Sequence, residues 1–409
     1  MAGMNLTRRL VAWVDERYPV TQFLKEHMSE YYAPKNFNFW YYFGALSLVV
    51  LANQLITGIW LTMSYNPSAE GAFASIEYIM RDVKFGWLLR YMHAVGASFF
   101  FIVVYLHMFR GLLYGSYRKP RELVWLVGML IFLCLMAEAF FGYLLPWGNM
   151  SFWGAQVITS LFGAIPFVGD SLVEFIRGDY NISGVTLNRF FALHVVFVPL
   201  VFVALVGFHI LALHNVGSNN PDGIEIKKNK DANGIPIDGI PFHPYYTVKD
   251  LFGLAVFLIL FAMVVFFMPD FFGFFLEAPN YVPADPMKTP EHIAPVWYMT
   301  PYYAILRAIP NKLLGVLAMF GSIAVFFFLP WLDRSPVKSI RYRGWMYKTA
   351  LSLFVISFVS LGYLGTQPPT NTKTMFAQIF ATIYFSFFVL MPFYSKYDKT
   401  KPEPERITH

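Results

Sequence analysis

The sequence predicts an all-α, polytopic membrane protein with eight transmembrane helices, the first four of which form a bundle. Three observations carry that reading. Of 409 residues, 57% are hydrophobic and only 14% charged, whereas a soluble domain is about half apolar and a quarter charged. Eight apolar runs are long enough, at roughly 20 residues, to cross a bilayer. Four histidines lie inside two of those runs at matched positions.

The first twenty residues, MAGMNLTRRLVAWVDERYPV, set basic side chains around an apolar run far too short for a secretory signal. They predict an amphipathic surface helix. The expected spans then cover 39–63, 85–113, 123–145, 190–213, 251–268, 313–331, 349–364 and 375–394. Residues 155–168 include Pro166 and are too short to cross, so they are expected in the interface. A polar, Gly- and Pro-rich stretch from Asn215 to Pro244 divides the chain. The expected units are 1–215, a cytoplasmic linker 216–245, and 246–409. The first unit carries nearly all the intramembrane polar residues, and no internal repeat is evident.

With both termini on one side, that side collects 21 Lys and Arg in loops and tails and the other side 8. The positive-inside rule then puts both termini in the cytoplasm. The net charge of +6 therefore reflects a lipid bilayer as partner and no nucleic acid. Cys134 is the single cysteine, so there is no intrachain disulfide, no CxxCH haem attachment and no cysteine set for an iron–sulfur cluster.

The second span, RYMHAVGASFFFIVVYLHMFRG, places His93 and His107 14 residues apart, and the fourth places His194 and His209 15 apart. Four α-helical turns take about 14.4 residues and rise roughly 21 Å. Each pair thus shares a helical face. Packed antiparallel, the two helices bring His93 level with His194 and His107 level with His209. Two neutral imidazoles at one level suit bis-histidine ligation of haem iron. Histidines also hydrogen-bond between membrane helices, but four at matched heights favour a functional role. Gly44 and Gly58 on the first span, and Gly128 and Gly142 on the third, repeat the 14-residue interval. A backbone without side chains at those heights lets a broad haem plate come close. Arg90 and Arg110, each three residues from a histidine, could meet haem propionates or simply snorkel to the surface. Pro199 lies five residues after His194, so a kink or π bulge there would absorb the extra residue of the second pair.

Together with these pairs, the segments GYLLPWGNMSFWGAQVITSLFGAIPFVG, HNVGSNNP, APVWYMTPYYAILRAIPNKLLGVLAM and FLPWLDRS make the chain resemble cytochrome b of the ubiquinol–cytochrome c oxidoreductases (respiratory complex III), in bacterial form. The resemblance covers essentially everything beyond the first thirty residues. It implies two b-type haems: a low-potential one held by His93 and His194 near the periplasm, and a high-potential one held by His107 and His209 near the cytoplasm. It also places Arg90 and Arg189 close to the low-potential haem.

Two quinone sites follow from the same resemblance. A periplasmic quinol-oxidation pocket would involve Tyr143 and Tyr298 and be lined by Phe140, Gly154, Ile158, Pro295, Val296, Trp297 and Tyr303. Without the resemblance, these aromatics read as an interface belt. The family motif here is usually Pro-Glu-Trp-Tyr, but this chain has Val296 in place of the acid, and valine accepts no proton. Two carboxylates could stand in. Glu138 lies about 12 Å below the end of the third span, one turn before Gly142; Glu291 lies five residues before Val296. Glu138 has the stronger case, because a carboxylate so deep in an apolar helix needs a reason. On the cytoplasmic side, His214, Ser218, Asn220, Lys249 and Asp250 would form a quinone-reduction site, where a histidine beside a Lys–Asp pair relays protons. Otherwise they read as a surface histidine and an exposed ion pair.

The implied function is a quinol–cytochrome c oxidoreductase subunit of the bacterial inner membrane, with ubiquinol and ubiquinone as substrates. One electron would cross through the two haems. The other would leave to a Rieske iron–sulfur protein and a c-type cytochrome in a homodimeric complex, generating a proton gradient. Two alternatives stand beside it. One is a diheme anchor of another quinone-linked dehydrogenase, for which four helices would suffice. The other is a haem-free transporter with histidine proton relays.

Overall fold

Inside a bilayer, an apolar run leaves the peptide groups no partner except each other, so it coils into a helix. The computed structural model describes residues 5–408. Among them, seven helices are long and apolar enough to span: Phe39–Thr62, Gly86–Tyr114, Glu122–Leu144, Gly184–Val216, Phe242–Phe267, Lys312–Leu332 and Trp345–Thr366. The eighth expected span corresponds to a bent pair, Asn371–Val389 and Met391–Tyr397, which meet at 58° as a broken span or a re-entrant loop. Pro392 sits at the start of the second piece, where it withholds an amide from the helix.

The expected spans and the observed helices differ mostly at their ends. The fifth is entered through a kink at His243, where the backbone is not helical, and its α-helix runs from Thr247, four residues before its expected start at 251. Lys249 and Asp250 therefore lie inside the helix, because a charge ends an apolar run without ending helical hydrogen bonding. The interfacial stretch 155–168 belongs to helix Asn149–Ser160 and a 3₁₀ turn, Leu161–Ala164, against which helix Gly169–Arg177 folds back. The N-terminal helix Leu6–Asp15 buries no residue and leaves Leu6, Leu10 and Trp13 exposed, as an amphipathic surface helix does.

The first span packs along the second and the third along the fourth; the fifth meets the first two, and the sixth leans on the third. The extra residue in the fourth span is taken up by a π turn at Leu193–Phe197, immediately before the helix that carries Pro199. A π turn holds more residues than an α turn, so His194 and His209 stay on one face despite their 15-residue spacing. A continuous core, including Phe101, Phe132, Tyr302, Tyr347 and Phe388, joins the two halves of the chain.

Two short antiparallel strands, β1 (Tyr32–Pro34) and β2 (Gly239–Pro241), pair with Ala33 opposite Ile240. Asp238 meets Lys35 at 3.1 Å and Arg406 at 2.7 Å. The two ends of the chain and the linker thus share one face, called here the terminal face.

Candidate metal centres and the cavity beside them

The second and fourth spans turn their histidines toward one another at two depths. The ring centres of His93 and His194 are 6.2 Å apart, and those of His107 and His209 are 6.4 Å apart. Two imidazoles sharing one metal atom, with metal–nitrogen bonds of about 2 Å, have ring centres roughly 6 Å apart. In the first of these pairs the tautomers suit the same purpose. Thr57 donates its hydroxyl to the Asn53 carbonyl, so its oxygen accepts from His93 Nδ1–H at 2.9 Å. His194 Nδ1–H points at the Glu138 carbonyl oxygen, 2.9 Å away. With Nδ1 protonated and engaged, Nε2 keeps its lone pair for a metal. None of the four Nε2 atoms has a hydrogen-bond partner among the described residues. Nor can any group of three or more His, Cys, Asp or Glu among them hold a metal ion. A metal at either level would thus have two protein ligands, the number found in bis-histidine haem.

The four glycines meet these rings directly. A Cβ at Gly44 would stand 3.3 Å from His107 Cε1, at Gly58 3.1 Å from His93 Cε1, and at Gly128 3.2 Å from His209 Cε1. At Gly142 it would be only 2.4 Å from His194 Cε1. The sequence assigns the glycines to the edges of a plate; the structure places each of them first against a ligand ring. The arginines divide. Arg90 lines the cavity beside His93 and His194. The Arg110 guanidinium lies 5.0 Å over the Tyr41 ring with its Nε buried and unpaired. Neither forms an ion pair with protein among the described residues, so both can receive an anionic group. Arg189 instead donates to the Phe175 carbonyl on the surface and does not reach this cavity. Its place before the π turn, beside Gly178, directs it outward.

On the face opposite the termini, a cavity of about 520 Å³ takes in His93, His194, Gly58 and Gly142 together with Glu138, Tyr143, Val296 and Tyr298. Of the residues predicted for the quinol pocket, Tyr143, Val296 and Tyr298 line this space with the histidine pair, and Phe140, Gly154, Ile158, Pro295, Trp297 and Tyr303 are not among its lining residues. Tyr298 stacks on Phe101 at 3.8 Å, which fixes its ring. Those six make contacts outside its lining. Gly154 leaves room beside Tyr143, and Trp297 donates to Ser98 Oγ at 3.0 Å. Phe140 packs on Phe190, and Tyr303 donates to the Ile293 carbonyl. Pro295 precedes Val296 in the chain, and Ile158 lies on helix Asn149–Ser160.

The carboxylates are placed unequally. Glu291 is exposed and outside the cavity. Glu138 reaches the cavity, but its Oε1 lies 3.0 Å from His194 Nδ1. A third, Glu277, is missed by the sequence reading: it lines the cavity, and Tyr143 donates its hydroxyl to Glu277 Oε2 at 3.0 Å. Glu277 is in the loop beyond the fifth span, and desolvation there raises its carboxyl to about 7. The signal that could have found it is the one that found Glu138, an acid in a long apolar run, here FFGFFLEAPNY.

At the terminal face, His214 stacks on Tyr31 at 4.5 Å, and the Tyr31 hydroxyl lies 3.4 Å from Ser218 Oγ. Lys249 and Asp250 border a small cleft with Tyr41, Phe242 and Tyr246. Phe242, 6.3 Å from Tyr31, joins the two groups. Asn220 is committed elsewhere. Its side-chain NH₂ donates to the Ile224 carbonyl and its oxygen accepts from the Asp222 and Ile224 amides, so it shapes the linker turn.

Comparison with known proteins shows the family. Residues 28–217 match the family profile described as "Cytochrome b/b6/petB", and 283–385 match "Cytochrome b(C-terminal)/b6/petD". The chain is 60% identical to a cytochrome b of Allochromatium vinosum over 406 residues, covering 97% of this chain and 98% of that protein. It is 52% identical to one of Rhodospirillum rubrum, covering 98% and 96%. A solved structure titled "Hyperthermophilic respiratory Complex III" superposes with a TM-score of 0.87 at 42% identity, covering 94% of this chain and 98% of that one.

Proposed function

The chain belongs to the cytochrome b family of respiratory complex III, and from that premise we propose that it binds two b-type haems, one between His93 and His194 and one between His107 and His209. The observation that supports this most is the pair of facing imidazoles at each of two depths, 6.2 and 6.4 Å between centres. Arg90 and Arg110 would take the propionates, and the glycines keep the ligand rings upright. When bound, the haems supply one-electron transfer between the two faces of the membrane.

Quinol is oxidised in the large cavity, which opens on the periplasmic side. Tyr143, Val296 and Tyr298 hold its flat ring by contact. Oxidation releases two electrons and two protons. Val296 can take no proton; Glu277 can, through the Tyr143 hydroxyl already bonded to it. Among Glu138, Glu277 and Glu291, Glu277 has the geometry of the acceptor. At the cytoplasmic side, His214, Lys249 and Asp250 supply protons to a quinone that is being reduced. The second electron of each quinol needs a higher-potential acceptor that this chain does not carry. A Rieske iron–sulfur protein and a c-type cytochrome in a dimeric complex would provide it. Protons leave on the periplasmic side and enter from the cytoplasm, so turnover builds a gradient.

The test is a pair of variants, His93→Leu and His107→Leu, in the purified complex. Each is expected to abolish one of two b-type absorption components and leave the other reducible. A variant that keeps both components overturns the assignment of that histidine.

A further inference from the structure

A histidine that passes protons to a quinone must be held in one orientation, yet His214 sits in the last turn of its helix, which ends at Val216. Its ring is stacked at 4.5 Å on Tyr31, from the far end of the sequence. Tyr31 precedes β1, and its carbonyl accepts from the Phe242 amide, just after β2, at 2.8 Å. The Tyr31 ring is thus placed by the β1–β2 ribbon. A two-stranded ribbon of three residues a side is at best marginally stable alone, so its position depends on what fastens it.

Residues 406–408 supply the fastening. Arg406 donates Nε and Nη2 to the two carboxyl oxygens of Asp238, at 2.7 and 2.9 Å, a paired geometry that fixes direction as well as distance. Asp238 is buried immediately before β2, and Lys35, immediately after β1, reaches the same carboxylate at 3.1 Å. Ile407 is buried. Thr408 donates its amide and hydroxyl to Asp222 Oδ2, each at 2.9 Å, and Asn36 Nδ2 donates to that oxygen at 3.0 Å. Both carboxylates therefore tie residues 406–408 to the segment that carries Tyr31. We propose that Arg406 is a positioning residue for quinone reduction: by gripping Asp238 it holds the ribbon, and with it the Tyr31 ring, against His214. This rests on reading the cleft of His214, Lys249 and Asp250 as the quinone-reduction site.

The test is stopped-flow reoxidation of the pre-reduced purified complex by a short-chain ubiquinone, following the inner b-type absorption component. Arg406→Ala is expected to keep both components and to raise the quinone concentration for half-maximal rate about tenfold, roughly the worth of one aromatic stacking contact. Tyr31→Leu, which removes the ring and spares the clasp, should do the same, and Arg406→Lys should fall between. A clasp that only stabilises this face would lower the thermal unfolding midpoint and leave half-saturation where it is. Unchanged half-saturation in Arg406→Ala or in Tyr31→Leu overturns the inference; should Arg406→Ala lose haem, Arg406→Lys takes its place with the same two outcomes. Asp250→Asn separates the reading beneath: if it leaves reoxidation unaltered, quinone is reduced elsewhere.

Discussion

Glu277 and Gly142 show how much of the site rests on single side chains. Above about pH 7 the Glu277 carboxyl is ionised and can accept a proton from the Tyr143 hydroxyl; below that it is already protonated. Quinol oxidation should therefore rise with pH through about 7. Glu277→Gln should flatten that limb and slow oxidation roughly a hundredfold, the ordinary worth of a general base, with haem spectra unchanged. A steady-state pH profile checks this, and an unchanged limb would return the role to another acid. Gly142→Val is a steric counterpart. Its first carbon would stand 2.4 Å from His194 Cε1, so the ring must swing away, and the outer b-type component should be lost while the inner one stays. At this scale the sequence is legible wherever a helical period orders the residues, as it does the four histidines and four glycines. Glu277 lies in a loop, where no period points to it, and Asn220 carries a ligand-like side chain that only its turn partners explain.

Among the elements, the fourth span carries the most specific device. Its π turn, Leu193–Phe197, absorbs the one residue by which the His194–His209 interval exceeds the His93–His107 interval. Deleting the exposed Val196 should let the turn revert to α-helix and leave both haems bound. Inserting an alanine between Leu200 and Val201 should rotate His209 by about 100° and remove the inner haem. Haem content by absorption decides both. Loss on deletion or retention on insertion would contradict the role given to the turn. The spans are readable because a membrane demands long apolar runs. Their ends are not, because Lys249 and Asp250 end the run in composition but not in hydrogen bonding, and the bend near Pro392 depends on packing.

Across the whole molecule, the terminal face is fastened by contacts that no local pattern announces. Asp238 joins Lys35 and Arg406, residues some 200 and 170 positions away in the chain, and Asp222 holds Arg341, Tyr342 and Thr408. The Arg406 hydrogen bond holds the Asp238 carboxyl down at about 2. Its contribution is thus present above the usual value of 3.8 and lost as pH falls through about 2. Asp238→Asn should lower the thermal unfolding midpoint of the detergent-solubilised protein, at a cost of about 1–3 kcal/mol. An unchanged midpoint would show that the tail is not held this way. Everything larger depends on haem at two depths between the second and fourth spans. The most direct measurement is the amount of haem b per polypeptide in the purified complex, by pyridine haemochrome and quantitative amino-acid analysis. Two per chain is predicted; one or none would contradict the account.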